Sequence, residues 1–301
     1  ITFLPHNVYT TFPFLTEMFS YLGMILAGDH FRGGLVGQTV LATFGPMTGA
    51  AIFFVGQRLY STEAGLWGAV AYTASPWFYR LSSIPYVEGA MLCYLTIGLL
   101  AVSVESAAPL AAAWVIGVMA GGAFGCKYPA LVMVAVPLLT AMLTQSRVRI
   151  VARGWMFAVG FLSIAGIWLA RNYVWTGNPI FPLLDPWFGS HHWTVERYEH
   201  FRSAHQSTTF DIKEIVEFIK DVVIRSDWQS ALAFAGVPFA FARGRRWLGL
   251  GLVVLIGYQF LIFFAGTHRL DRFFLAILPV AAILSGAGLA TLMTAGWRWV
   301  V

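Results

Sequence analysis

Charged residues are scarce in this chain, because Asp, Glu, Lys and Arg make up 11% of its 301 residues. Soluble domains carry about 25% charge, whereas this chain is 58% hydrophobic. A water-soluble globular fold is therefore excluded, and the composition predicts an all-α, polytopic bundle of transmembrane helices. The formal net charge of +5 does not indicate nucleic-acid binding, since the arginines fall between apolar runs and report membrane topology instead.

Several functional motifs are also missing from the sequence. It has no P-loop, no GxGxxG, no GxSxG and no HExxH, so an ATP-driven pump, a nucleotide-cofactor enzyme and a serine hydrolase have no support. The two cysteines, Cys93 and Cys126, lie in or beside apolar runs, which indicates small buried hydrophobes. No signal peptide is recognisable. The chain begins at Ile1 in a polar-aromatic stretch, and we expect its natural N-terminus to lie further upstream.

Long apolar runs predict about nine membrane crossings, since about 20 apolar residues span a bilayer. They lie at about 34–56, 63–79, 87–104, 110–126, 128–144, 155–171, 229–242, 247–266 and 273–295. Residues 12–27 form a shorter apolar run that is either a tilted span or a helix at the membrane interface. Glycines at 117, 121 and 125 form a small-residue face, which predicts close packing against a neighbouring helix.

Arginine placement predicts the orientation of these spans. The arginine-rich stretches 145–154 and 243–246 fall on one side, which is cytoplasmic by the positive-inside rule. The long polar stretch 172–228 falls on the other side. This assignment of sides requires that residues 12–27 do not cross the membrane, or that an unseen span precedes them. The active face is therefore expected to be extracytoplasmic, in the cell (inner) membrane.

The parity suggests four regions. Residues 1–33 are the remainder of a first external loop with a juxtamembrane helix, and 34–171 form the core bundle. Residues 172–228 form an external loop, and 229–301 carry the C-terminal transmembrane helices. Within the external loop, apolar residues of 211–224 share one helical face and Asp211 precedes Glu214 by three, which predicts a capped amphipathic helix.

Glu88 is the strongest candidate for a catalytic residue. It follows Pro85 and Tyr86 and opens an apolar run at the predicted outer face. An acid at such a place is costly and is a functional hypothesis by default, the alternative being a carboxylate that faces water. We expect it to orient an acceptor hydroxyl or a sugar, apart from the cations that would hold a donor phosphate.

Cations occupy the same predicted face. Lys127 ends the glycine-rich helix and suits phosphate, or else reaches the lipid headgroups. Arginine binds phosphate through two parallel hydrogen bonds, although each arginine could also anchor a helix end. The candidate substrate-binding residues are Lys127, Tyr128, Arg171, Asn172, Arg269, Arg272, Glu17, His6, Asn7 and Tyr86.

A metal site has weaker support. His192, Glu196 and His200 are spaced by four residues, which matches no standard zinc pattern, so a solvated polar loop is the better interpretation. No metal ligand is therefore assigned, no cofactor is certain, and a divalent metal stays an open alternative.

Several motifs in order resemble a known family. They are FLPHNVYTTFPFLTEM, RLYSTEAGLWGAVAYTASPWFYRLSSIPYVEG, GGAFGCKYPAL, WLARNYVWTGNPIFPLL and HRLDRFFLAILPVAA. Together they are similar to the GT-C superfamily of membrane glycosyltransferases, and within it to bacterial relatives of protein O-mannosyltransferases and aminoarabinose transferases. The resemblance implies a polyprenyl-phosphate-linked sugar as donor and transfer at the outer face.

The resemblance also assigns residues. Glu88 matches the acid of the second external loop, and Lys127 matches the lysine after the glycine-rich helix. The family's catalytic acid in the first external loop has no counterpart here, so this fragment is expected to lack it. Membrane lipid and the lipid-linked donor are the expected partners, with an acceptor that is protein, lipid or glycan.

Three function classes follow from these observations, one of which is a structural or assembly protein, for which a large external loop would suffice. The first is a glycosyltransferase acting outside the membrane. The second is a transporter or lipid flippase, which needs inverted repeats and charged, broken helices at mid-membrane. The polar residues cluster at one face instead, which favours the enzyme.

Overall fold

Helices dominate the structure, a computed structural model that describes residues 3–4, 7–145, 149–190, 193–205, 211–225, 227, 233, 236–238, 246–267 and 269–297. No strand occurs in this part of the chain. The helices α1 to α13 are, in order, Glu17–Ala27, His30–Leu59, Thr62–Thr73, Pro76–Ser83, Glu88–Val104, Pro109–Cys126, Val136–Gln145, Ile150–Thr176, Asp185–Phe188, Val195–His205, Ile212–Ile224, Arg246–Gly266 and Ile277–Trp297. A π-helix, Leu131–Ala135, precedes α7, and short 3-10 helices cover Val8–Thr11, Glu105–Ala107 and Asp271–Phe274.

The prediction of a polytopic helical membrane bundle is confirmed, whereas the count of nine crossings is not. Five described helices are long and apolar enough to cross a membrane: α2, α6, α8, α12 and α13. The pair α4 and α5, bent by 117° at the break between them, adds a sixth if it is one broken span. The predicted span 229–242 falls almost wholly outside the described residues.

Two other predicted spans are divided in the structure. The run 63–79 becomes α3 and α4, because Ser75 caps a new helix through its hydroxyl and Pro76 occupies the first helical position. The run 128–144 opens with the π-helix and yields a helical stretch of residues 131–145, which is short for a crossing. Apolar composition alone did not reveal either interruption.

Glycines set the closest approaches in the core. A Cβ atom on Gly117 of α6 would lie 2.1 Å from the carbonyl oxygen of Phe157 on α8. A Cβ atom on Gly160 of α8 would lie 2.2 Å from the carbonyl oxygen of Trp114. The two helices therefore meet backbone to backbone, and the predicted packing role of the glycine-rich face is confirmed.

The segment just before helix α1 is held at the C-terminal end of α6. The backbone N–H of Leu15 donates to the carbonyl oxygen of Gly125 at 2.8 Å. With 11 residues, α1 is about 16 Å long, which is roughly half of a bilayer core. This length favours the interfacial interpretation of 12–27 over the tilted span, and the juxtamembrane placement stays a prediction.

The predicted amphipathic helix is present as α11. The Asp211 side chain accepts from the backbone N–H of Lys213 and caps it. Phe218 packs against Phe263, Phe264 and Phe274, with ring centroids 4.9 to 5.4 Å apart, so α11 is fastened to α12 and the segment that follows it.

Arg153 departs from its predicted place. The sequence put it in an arginine-rich loop, but the structure places it inside α8 with no exposed surface. It forms an ion pair with the buried Glu105 and donates to the Met142 carbonyl oxygen. This arginine therefore joins three segments of the bundle and is no simple loop charge.

Candidate functional site

The site is built around an ion pair between Glu88 and Lys127. The Lys127 ammonium donates to Glu88 Oε1 at 2.8 Å, and 2% of Glu88 is exposed. Glu88 opens α5, where a carboxylate is favoured by the helix dipole. Lys127 follows α6 in an extended conformation, since Pro129 prevents the helix from continuing. Two helix ends thus present opposite charges to each other.

Arg272 is a second cation at this pair. Its Nε lies 3.9 Å from Glu88 Oε1, and its guanidinium lies 5.5 Å from the Tyr86 ring centroid. Phe273 lies beside both cations, because the Lys127 ammonium and the Arg272 guanidinium are 4.4 and 5.4 Å from its ring centroid. Unlike Lys127, Arg272 keeps 41% of its side chain exposed.

An open cavity of about 540 Å³ meets the ion pair through Arg272, which lines the cavity and lies beside Glu88. It is lined by Trp77, Tyr86, Arg269, Leu270, Asp271 and Arg272. The bend between α4 and α5 brings Trp77 and Tyr86 to one wall, and the segment before α13 supplies the other. Three residues predicted for substrate binding, Tyr86, Arg269 and Arg272, therefore share a cavity that an anionic headgroup could enter.

The structure corrects the expected separation of Glu88 from the cations. Glu88 is neither solvated nor apart from them, because Lys127 is bound to it directly and Arg272 lies beside it. Its second oxygen, Oε2, is buried and has no hydrogen-bond partner among the described residues. Burial lowers the pKa of Lys127, and the Glu88 carboxylate opposes that shift. The Glu88 carboxylate therefore favours the ammonium form of Lys127.

Arg269 lies at the cavity with a backbone φ of +56°, a region that non-glycine residues seldom adopt. Its guanidinium forms an ion pair with Glu214 of α11. The amphipathic helix α11 is thus tied to the cavity wall, a link that sequence patterning did not predict.

Three further predicted ligands form a separate cluster. Asn172 donates to the carbonyl oxygen of Thr11 at 2.8 Å and to the Tyr128 hydroxyl at 2.6 Å. Arg171 donates to the carbonyl oxygens of Thr11 and Phe12, at 2.7 and 3.0 Å. These side chains hold the N-terminal segment against α6 and α8, and their role as substrate ligands stays a prediction.

The remaining predicted residues lie along that N-terminal segment. The Asn7 side chain caps the first 3-10 helix by accepting from the Tyr9 N–H at 3.1 Å. His6 lies outside the described residues. Glu17 opens α1 and is exposed, and its carboxylate accepts from the buried Thr16 hydroxyl at 2.9 Å.

The polar helix α10 borders a second cavity, of about 510 Å³, with Tyr9, Trp193, Glu196 and His200 among its lining residues. No three His, Cys, Asp or Glu side chains within the described ranges are grouped closely enough to hold a metal ion. His192, part of the weak metal pattern, lies outside those ranges.

A family model decides the classification. The model for dolichyl-phosphate-mannose-protein mannosyltransferase matches residues 12–171, which is more than half of the chain. The chain belongs to this mannosyltransferase family. The match includes Glu17, Glu88, Lys127 and Arg171, and it confirms the resemblance to membrane glycosyltransferases drawn from the motifs.

Solved structures show the fold of this family member over nearly its whole length. ArnT from Cupriavidus metallidurans bound to undecaprenyl phosphate matches with a TM-score of 0.68 at 17% identity, over 93% of this chain and 50% of that one. ArnT in the apo state matches with a TM-score of 0.66 at 19% identity, over 96% and 51%. The chain thus spans about half the length of ArnT. Among curated proteins, none matches it.

Proposed function

We propose that the full-length protein is an integral-membrane glycosyltransferase that moves a sugar from a polyprenyl-phosphate donor to an acceptor hydroxyl on the extracytoplasmic face. The observation that carries the proposal is the Glu88–Lys127 ion pair, with Arg272 beside it, at the edge of an open cavity. Family membership and the ArnT-like fold support the same class of reaction.

The two cations supply what the leaving group requires. Transfer breaks the bond between the anomeric carbon and a phosphate oxygen, so negative charge grows on the phosphate. Fixed cations stabilise such charge most effectively where they are already in place and shielded from water. Lys127 is buried and fixed, whereas the exposed Arg272 can turn from Glu88 toward a phosphate in the cavity.

Glu88 keeps this arrangement in place. Without its carboxylate, the buried Lys127 ammonium would lose its counter-charge, and Arg272 would lose the acid that it faces. Its contribution to transfer is therefore large even though Lys127 already occupies one of its oxygens. Tyr86 and Phe273 limit the directions that the Arg272 guanidinium can take.

The enzyme is favoured over the transporter or flippase. Among the described residues one helix pair, α4 and α5, is strongly bent, and Glu88 at that bend pairs with Lys127 at the end of α6. A midplane site reached from both sides needs charges within the spans. Membership of a glycosyltransferase family favours the enzyme independently.

Binding of undecaprenyl phosphate to the full-length protein in nanodiscs tests the proposal. Lys127→Ala is expected to weaken binding at least tenfold, since it removes the buried phosphate ligand. Lys220→Ala, on the polar side of α11, is the matched control and should bind like the parent.

Transfer is measured in proteoliposomes with polyprenyl-phosphate sugars and hydroxyl acceptors. Release of polyprenyl phosphate that depends on an acceptor is the expected result. Equal binding by Lys127→Ala and the parent, or donor that stays intact with every acceptor, contradicts the proposal.

A further inference from the structure

The second cavity, called here the α10 cavity, has no role in the transfer chemistry proposed above. One of its walls is the 3-10 helix Val8–Thr11, and the other is Trp193 with helix α10. The described linings of the two cavities have no residue in common. Its volume of about 510 Å³ lies within the range of about 300–1,000 Å³ that small-molecule sites occupy. The α10 cavity is therefore large enough for a ligand of its own.

Aromatic rings contribute much of this lining. They belong to Tyr9, Trp193 and Phe201. The Tyr9 hydroxyl lies 3.3 Å from His205 Nε2, a contact that joins the two walls, and Tyr9 keeps 59% of its surface exposed. Trp193 packs edge-on against Phe201, with ring centroids 6.0 Å apart. Because the face of an aromatic ring is negative, it attracts polarised C–H groups of a ligand. Tyr9 offers such a face to solvent.

Polar side chains complete the lining. Glu196, Arg197 and His200 belong to it, and none of the 11 described residues of α10 is buried. A carboxylate accepts hydrogen bonds through two oxygens, and a guanidinium donates several in a fixed plane. A sugar has the complementary surface, since its ring presents C–H groups on a face and hydroxyls around the rim. The α10 cavity thus combines the two kinds of contact that a sugar needs.

Other classes of ligand match the lining less well. A phosphate group is best bound by several cations, whereas Arg197 is the one arginine or lysine in the described lining and has Glu196 beside it in sequence. Peptides bind at a sheet edge, in an apolar groove or at an arginine cluster. The described walls are helical and partly polar, and they provide none of these.

Ring contacts connect the α10 cavity to the transfer site. Phe201 packs against Phe12 with centroids 6.4 Å apart, and Phe12 packs against Tyr128 at 5.4 Å. Tyr128 directly follows Lys127, and its hydroxyl donates to the carbonyl oxygen of Thr11 at 3.3 Å. Both walls are therefore fixed to the segment that carries the phosphate-binding cation, so a ligand between them is held near the donor.

We propose that the α10 cavity binds a carbohydrate and that this carbohydrate is part of the acceptor. The second half of this statement rests on the proposed glycosyl transfer, whereas the first half rests on the cavity alone. The Tyr9 ring packs against a sugar face, and Glu196 and Arg197 bind its hydroxyls. The acceptor class is then a glycan or a glycan-bearing molecule, and the α10 cavity takes part in binding but in no covalent step.

The test applies the full-length protein in nanodiscs to an array of defined mono- to tetrasaccharides, and each saccharide that binds is then titrated. Tyr9→Ala and Glu196→Ala should each weaken binding about tenfold or more, since anchoring side chains carry most of the affinity of a site. Glu199→Ala, on the same helix but outside the described lining, is the matched control and should bind like the parent. All three variants should bind undecaprenyl phosphate within about twofold of the parent.

Transfer provides the second readout. A saccharide that binds should serve as acceptor in proteoliposomes, with a KM that rises about tenfold in Glu196→Ala while kcat stays within about twofold. This variant changes a single exposed side chain, so it keeps the test valid if Tyr9→Ala folds poorly.

Several outcomes would overturn the inference. No saccharide bound by the parent, or equal binding by the parent and both cavity variants, rules out a carbohydrate site here. A serine-rich peptide that binds the parent, and is lost in the same variants while saccharides are not bound, makes the cavity a peptide site instead. Saccharides that bind but neither accept sugar nor compete with an acceptor overturn the acceptor role.

The proposed function can fail separately. If saccharides bind as expected but the parent neither binds undecaprenyl phosphate nor transfers sugar, the glycosyltransferase and the acceptor role fall while the carbohydrate site stands. If donor binding and transfer are found without saccharide binding, the glycosyltransferase stands and this inference falls.

Discussion

Replacing Glu88 by Gln and Lys127 by Met, singly and together, distinguishes the contribution of the ion pair to the stability of the fold from its contribution to donor binding. The pair is buried, with a contact of 2.8 Å. Removing one partner of such a pair costs about 3–5 kcal/mol, because the other charge stays buried without compensation. The glutamine amide oxygen can still accept from the ammonium, so we expect Glu88→Gln near the lower end, about 3 kcal/mol.

The double variant behaves differently because it removes both charges together. Replacing a buried pair by uncharged groups of similar volume is often neutral. We therefore expect the double variant to recover about 1–3 kcal/mol relative to the sum of the single losses. Donor binding should not recover, since the cation for the phosphate is gone in both Lys127→Met and the double variant.

Two measurements on the full-length protein check this reasoning. Denaturant or thermal unfolding in detergent, with all four proteins at equal concentration, gives the coupling free energy. Undecaprenyl phosphate titrations of the same four preparations give binding. Additive stability losses would show that the two side chains do not interact as the structure has them. Recovered donor binding in the double variant would show that Lys127 is a structural residue only.

Three other predictions concern the rest of the fold. Arg153→Met should lower the free energy of unfolding by about 3–5 kcal/mol, because it leaves the buried Glu105 carboxylate without its cation. Adding Glu105→Leu to this variant should restore most of the loss. Equal melting temperatures for the single and double variants would contradict this prediction. Arg171→Lys removes the guanidinium that donates to two backbone carbonyl oxygens of the N-terminal segment. Protease should therefore cleave this segment several times faster than in the parent. An unchanged cleavage rate would show that Arg171 does not hold the segment in place. Cysteines introduced at Gln145 and Ser203 should react with an impermeant thiol reagent from opposite sides of the membrane, and labelling from the same side would overturn the topology.

The candidate site was predictable in its members but not in its geometry. Glu88 and Lys127 were recognisable because a charge is costly at the end of an apolar run, and that cost depends on sequence position alone. Their contact was not recognisable, since it joins residues 39 positions apart through the packing of α5 and α6. The same limit applies to Arg269, whose partner Glu214 belongs to a helix 55 positions away.

Arg171 and Asn172 illustrate a different limit. Their position at a helix end suggested phosphate ligands, because a guanidinium and an amide at a membrane surface can serve equally for binding or for anchoring. In the structure both side chains donate hydrogen bonds to the Thr11 carbonyl oxygen, a contact that no local pattern could predict.

By itself the sequence was sufficient for the membrane class, the helical fold, the amphipathic α11 and the glycine contacts of α6. These follow from composition and from periodicities of a few residues, and so from the transfer of side chains between water and lipid. Only the tertiary structure decided that apolar runs break at α4 and at the π-helix, that Arg153 is buried, and that Glu88 is bound by Lys127. Those features depend on which helix ends meet, and charges on distant segments become partners only once helix packing brings them together.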